Sequence, residues 1–270
     1  MVSVFIKGIF IGSTLSVPGI SGGTMAMLIG IYEPLIRSIN CLITKEKKKK
    51  EAILFLLLFS FGGMVGFLAI SSVILNCIQI APLPMTSLFC GVIIGGVPSI
   101  FAEIKKDRFY WMDLLNIILG VLCVLFISCL PSDLFQIGGT FGFWNVIKQI
   151  FGGMVVAFAL ILPGISVSQM MYVLGIYEGV LKAISSLDIL GLLPMICGIS
   201  LGILLFARLM DICFLKYRKS VYAIIFGFVV GSVFELFSRG KGDEFSLICI
   251  PLFIIGYCLM RLILKKQVDA

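Results

Sequence analysis

The peptide PGIS-x-x-x-M-x-x-x-x-GIYE occurs twice in this chain, at 18–33 and at 163–178, each copy embedded in apolar sequence. Proline removes a backbone donor and glycine raises the entropic cost of helicity, so each copy interrupts a helix. Hydrocarbon offers no water to the freed groups, and such a break persists only where protein or a wet cavity receives it. A duplicated break followed by an acid, Glu33 and Glu178, points to a transport site.

Composition supplies the surroundings for these breaks. Hydrophobic residues make up 60% of the 270 residues and charged residues 13%, which is the profile of an all-α, polytopic membrane protein. The nine cysteines stand singly in apolar runs with no C-x-x-C, so they read as small packing residues. The chain has no histidine, which argues against a zinc or haem enzyme; no metal, cofactor or nucleic-acid partner is expected. Residues 2–17 resemble a secretory signal, yet their counterpart at 147–162 lies deep in the chain, so the segment reads as structural and uncleaved.

The repeat extends beyond the motif. An offset of 145 aligns the two motif copies, and an offset of 136 then aligns Gly62, Gly66, Gly91, Gly95 and Gly120 with Gly198, Gly202, Gly227, Gly231 and Gly256. Two halves follow, 1–140 and 141–270. The first holds a hairpin at 2–43 and helices at 52–80, 85–102 and 111–130; the second holds a hairpin at 146–184 and helices at 191–213, 221–238 and 245–264. Each helix is long enough, or nearly so with tilt, to cross a core of about 30 Å. The G-x-x-x-G pairs allow close helix approach in lipid.

Lysine and arginine orient the chain. Lys45 with Lys47–Lys50, then Lys105, Lys106 and Arg108, then Lys216, Arg218 and Lys219, and finally Lys265 and Lys266 mark one side as cytoplasmic. The intervening loops at 81–84, 131–145 and 185–189 carry no Lys or Arg, although 239–244 has Arg239 and Lys241. With three crossings per half, the two hairpins open to opposite faces, giving inverted-topology repeats, a recurrent transporter plan with its site near the midplane.

The arm before Pro18 has only about 15 usable residues, about 22 Å of helix, which favours a re-entrant hairpin over a full crossing of the same parity. In the re-entrant form the breaks Pro18-Gly19 and Pro163-Gly164 lie at mid-membrane, and a helix starts near Gly22 with Ser21 as N-cap. Gly22, Gly23 and Thr24 would admit an anion such as phosphate to the helix N-terminus; Ser166, Ser168 and Gln169 replace the glycines in the second copy. Glu33 and Glu178, eleven residues along from Gly22 and Val167, have Arg37 and Lys182 one turn on. They read either as interfacial ion pairs or as gates that take up a coupling proton or sodium ion. Arg208, beside Asp211, is the further phosphate candidate because a guanidinium forks onto oxyanions, and it is equally placed to snorkel.

PGISGGTMAMLIGIYE and its diverged second copy make the chain resemble the bacterial and archaeal polyprenyl-phosphate transporter (PopT) family over essentially its whole length. The resemblance implies a multi-pass plasma-membrane flippase that moves undecaprenyl phosphate to the cytoplasmic face for reuse in cell-wall synthesis, with polyprenyl phosphate and membrane lipids as its partners. The matching positions are Pro18, Gly19, Ser21, Gly22, Gly23, Thr24, Gly30, Tyr32 and Glu33, with Pro163, Gly164, Ser166, Gly175, Tyr177 and Glu178 in the second copy. Val167 and Ser168 depart from a second glycine pair and weigh against two identical phosphate cradles. An ion-coupled secondary transporter of a soluble anion or nutrient is the alternative; it would enclose its substrate, whereas a lipid transporter needs lateral access.

Overall fold

The computed structural model describes residues 2–15, 17, 20–44, 48–106, 108–131, 143–186, 188–239 and 247–268, and among them every regular element is helical. The first half holds α1 (Val2–Thr14), α2 (Gly22–Leu28), α3 (Tyr32–Ile43), α4 (Lys49–Ile80), α5 (Pro82–Lys105) and α6 (Trp111–Cys129). The second holds α7 (Phe143–Ile161), α8 (Val167–Val173), α9 (Tyr177–Ser185), α10 (Ile189–Arg239) and α11 (Cys249–Val268). Five helices, or six if α2 and α3 are one bent span, are long and apolar enough to cross a bilayer, and the chain is a multi-pass α-helical membrane protein.

Each hairpin contains three helices where two were expected. A second break falls at GIYE, where α2 and α3 meet at 115°. The cause is a Schellman ending: Gly30 takes φ 66, its N–H donates to the Met27 carbonyl (3.1 Å), and the Ile31 N–H donates to Ala26 (2.9 Å). The second copy repeats it, with Gly175 at φ 67 bonding to Tyr172 (3.0 Å) and Ile176 bonding to Met171 (3.0 Å). Glu33 therefore sits in the first turn of α3, past a corner, and not on a helix running straight from Gly22.

The glycine stripes explain the packing. A methyl group at Gly62 or Gly66 would strike the carbonyls of Phe5 and Ile9, and one at Gly198 would strike that of Ile150, so α1 lies against α4, and α7 against α10, at backbone contact. Residue numbers rise together along both pairs, which makes them parallel. Leu15, just past α1, lines a groove with Met64 and Phe67, so α1 ends beside the middle of α4.

The remaining glycines join the halves. Gly91 meets Phe253 and Gly256 meets Leu88, locking α5 to α11; Gly227 meets Ile117 and Gly120 meets Ile224, locking α6 to the second arm of α10. Shifting the first pair of contacts by 136 residues produces the second. Each half's second long helix is thus held by the other half's third. α5 and the second arm of α10, which carry the repeat-related Gly91 and Gly227, run antiparallel: Glu103 lies against Arg218, and Phe101 against Phe226.

The helices expected at 191–213 and 221–238 are the two arms of α10, joined without a loop across a kink at Tyr217 (φ −133, ψ 39). Residues 214–220 contain neither Gly nor Pro, so nothing forces the backbone out of helix for longer than this one position. Around it Phe214 and Tyr222 stack edge to face with ring centroids 5.7 Å apart, and Phe214 also abuts Tyr32 at 5.8 Å.

Candidate functional site

The two PGIS regions meet. Thr24, 1% exposed in the first turn of α2, accepts a hydrogen bond at its hydroxyl oxygen from the Gly164 N–H (2.7 Å). Gly23 faces the backbone of Pro163 so closely that an added Cβ would stand 3.3 Å from it. Tyr32 reaches across as well, its hydroxyl donating to the Ile161 carbonyl at the end of α7 (2.7 Å). Side chains of the first copy thereby supply partners for the Ile161 carbonyl and the Gly164 N–H on either side of Pro163, as a broken helix in lipid requires.

The polar residues at this junction are not equivalent. Ser166 is a working N-cap of α8, accepting from the Gln169 N–H (3.4 Å), and its hydroxyl also pairs with that of Ser168 (2.9 Å). Ser21, buried at the matching position of α2, has N-cap backbone angles and no side-chain cap bond. Gly22 faces the Leu15 side chain and Gly23 faces Pro163, so in this state both glycines serve close packing between chain segments. Pro18 and Gly19 lie outside the described residues.

Glu33 stands at the centre of a second constellation, at the basic end of the helices. Arg218 grips its carboxylate with a fork, Nη1 to Oε2 at 2.9 Å and Nη2 to Oε1 at 2.8 Å, while the Tyr222 hydroxyl donates to Oε1 at 2.5 Å. Arg218 also reaches Glu103 (3.4 Å) and lies 5.3 Å over the Tyr222 ring. One and two turns along α3, Arg37 contacts Glu33 (3.8 Å) and Asp211 (3.9 Å), and the Asn40 amide donates to Asp211 (2.6 Å). Positions 33, 37 and 40 share one face of α3, which fastens the first hairpin to both arms of α10 across Tyr217. Lys219 extends the cluster to the start of α6 through Asp113 (2.6 Å) and the Arg108 carbonyl (2.7 Å).

The other expected members lie apart from these clusters. Glu178 and Lys182 are exposed on α9 and form no ion pair among the described residues. Arg208 is exposed on α10 and does not pair with Asp211, which turns to α3 instead. Arg218, assigned from sequence only to a basic loop, is the guanidinium that pairs with Glu33 and Glu103. The i to i+4 spacing of Arg218 and Tyr222 was visible, but nothing local connects them to Glu33, 185 residues away. Among the described residues no group of three or more metal-ligating side chains forms.

Broken helices that meet inside a bundle of apolar spans, with a charged latch at one end, define a membrane transport protein rather than a soluble enzyme or a binding module. The chain belongs to the undecaprenyl phosphate translocase-like family, whose profile matches residues 11–246. It is 28% identical over 242 residues to the polyprenyl-phosphate transporter of Vibrio cholerae, covering 86% of this chain and 76% of that one. It is 29% identical over 262 residues to the polyprenyl-phosphate transporter of Staphylococcus aureus, covering 93% and 92% respectively. No solved structure matches the chain.

Proposed function

We propose that the chain moves polyprenyl phosphate, and specifically undecaprenyl phosphate, across the plasma membrane, returning the carrier lipid to the cytoplasmic face. The halves act as inverted repeats with re-entrant hairpins; the opposed run of α5 and the second arm of α10, and the end of α1 beside the middle of α4, support this. The basic end faces the cytoplasm, in keeping with the Lys and Arg distribution. The contact of Thr24 with Gly164, in a chain whose relatives are named polyprenyl-phosphate transporters, is the observation that carries the reading.

A lipid phosphate must take its anionic headgroup through hydrocarbon while its prenyl tail stays in lipid. The protein therefore has to supply a polar, laterally open track, with no chemistry on the phosphate. In this reading the joined tips are the closed constriction. When they part, the Gly164 N–H and the Thr24 hydroxyl are released from the tip contact, and Ser21, Gly22, Gly23, Ser166, Ser168 and Gln169 line the opening with backbone N–H, hydroxyl and amide donors. Glu33 and Arg37 guard the cytoplasmic mouth, Glu178 and Lys182 the opposite one, and a proton or sodium ion at these acids is the coupling step. Arg218 replaces Arg208 as the guanidinium that meets the phosphate.

The test is translocation of fluorescent undecaprenyl phosphate in proteoliposomes. Wild type and Arg208→Ala should transport at similar rates, while Arg218→Ala and Glu33→Gln should fall roughly tenfold or more, as expected for loss of a charge-assisted pair. Correctly inserted wild type that moves no lipid phosphate would reject the function. Normal rates in both the Arg218 and Glu33 variants would reject the latch and leave the function standing.

A further inference from the structure

A cavity of about 1040 Å³ opens at the basic end, with walls from the α2–α3 corner (Leu28), α5 (Ser99, Glu103), the second arm of α10 (Tyr222) and α11 (Arg261, Lys265). Resting on the transport reading above, we propose that this cavity is the lateral port in which a lipid-borne phosphate monoester docks before it reaches the hairpins.

Charge is the first argument. Arg261 and Lys265 stand four residues apart on α11, so they share a face, and a like-charge pair at that spacing repels. Neither makes an ion pair among the described residues. The acid on the wall, Glu103, does not neutralise them, because it is held by Lys106 (2.6 Å) and Arg218 (3.4 Å). Two cations facing a cavity with no anion of their own suit a dianionic phosphate.

The form of the cavity argues for a lipid source of that phosphate. α5 and α11 touch at backbone distance farther in, at Gly91, Gly95 and Gly256, and the cavity opens past them where Pro98 interrupts the α5 hydrogen-bond ladder. The lining around the charges is mainly apolar, with Met27, Leu28, Leu262 and Leu264 among its members. On α11 the outward residues Ile255, Leu259 and Leu262 are exposed along the same helix. A prenyl chain fits such a wall, and free phosphate gains nothing from it.

The port also leads somewhere. Its inner wall includes Glu103 and Tyr222, both of which contact Arg218. A headgroup held by Arg261 and Lys265 thus adjoins the guanidinium now occupied by Glu33, and competes with that carboxylate for it.

The full-length protein in vesicles would be photolabelled with a short-chain polyprenyl phosphate carrying a diazirine beside the phosphate, and the modified peptides mapped by mass spectrometry. Label should fall on 98–103 and 257–265, be displaced by unlabelled polyprenyl phosphate, and resist the matching polyprenol and millimolar inorganic phosphate. Arg261→Gln with Lys265→Gln should reduce labelling roughly tenfold or more, while Arg261→Lys, which keeps the charge, should retain most of it. Equal labelling of the double variant, displacement by the polyprenol, or label confined to other helices would overturn the port. Displacement by inorganic phosphate would overturn its assignment to lipid. Translocation measured in the same vesicles separates the two ideas: transport with no label at the port rejects the port alone, and label at the port with no transport rejects the transport reading on which it rests.

Discussion

At the residue scale, Thr24 carries a load out of proportion to its size, because its hydroxyl satisfies the Gly164 N–H that the second break sets free. Thr24→Val keeps the volume and removes the acceptor, leaving that amide buried without a partner at a cost of about 1–3 kcal/mol. Thermal unfolding of the purified protein should move down accordingly, whereas Ser21→Ala, which loses no cap bond, should leave it nearly unchanged. Arg218 belongs to the same scale for the opposite reason. Its identity as a base was plain from the sequence, but its partners Glu33 and Glu103 are 185 and 115 residues distant, and only the folded chain brings them together. Arg208 reads as a phosphate candidate because a guanidinium forks onto oxyanions; it stands exposed on α10 while Asp211 turns to α3, a choice of face that an apolar run does not reveal.

At the element scale, the GIYE corner deserves a direct measurement. Gly30→Ala forces an L-residue into the left-handed region, a penalty of about 1–2 kcal/mol, while Gly30→Asn should cost less because Asn tolerates that conformation. A larger downward shift in melting temperature for Ala than for Asn, mirrored at Gly175, is the expected outcome. The corner was legible in principle: glycine followed by an apolar residue after a short apolar helix is a stop signal. It was passed over because Met25 to Ile29 and Leu35 to Ile36 keep the apolar pattern going on both sides. The PGIS breaks stood out better, since proline has no reading as a continuing helix. In α10 the two helices were legible and only their junction was not: the basic segment Lys216 to Ser220 reads as a loop, yet it holds good helix formers and bends at Tyr217 alone.

At the scale of the whole molecule, the repeat was readable because glycine spacing records backbone contacts, and those contacts recur with the same offsets in space. The chemical inequality of the halves was readable too. The position that would mirror Arg218 is Pro82, so the Arg218 fork on Glu33 has no repeat-related counterpart for Glu178. What sequence left open was the partner of each glycine stripe, since period alone does not name the facing helix. Sidedness gives a global check. Single cysteines placed at Lys106 and Lys265 in a cysteine-free background should react with an impermeant maleimide from one face of the membrane, and a cysteine at Pro131 from the other. Labelling of all three from the same face would discard the inverted arrangement.

The exchange of partners between halves also bears on how the chain is made. α5 emerges from the ribosome long before α11, the helix that covers Gly91 and Gly95, so it must wait in the bilayer with a bare backbone groove until α11 has been made. Assembly is therefore a late, collective event, and a nascent chain halted before Cys249 leaves a helix seeking a mate, open to insertase, chaperone or protease in the interval.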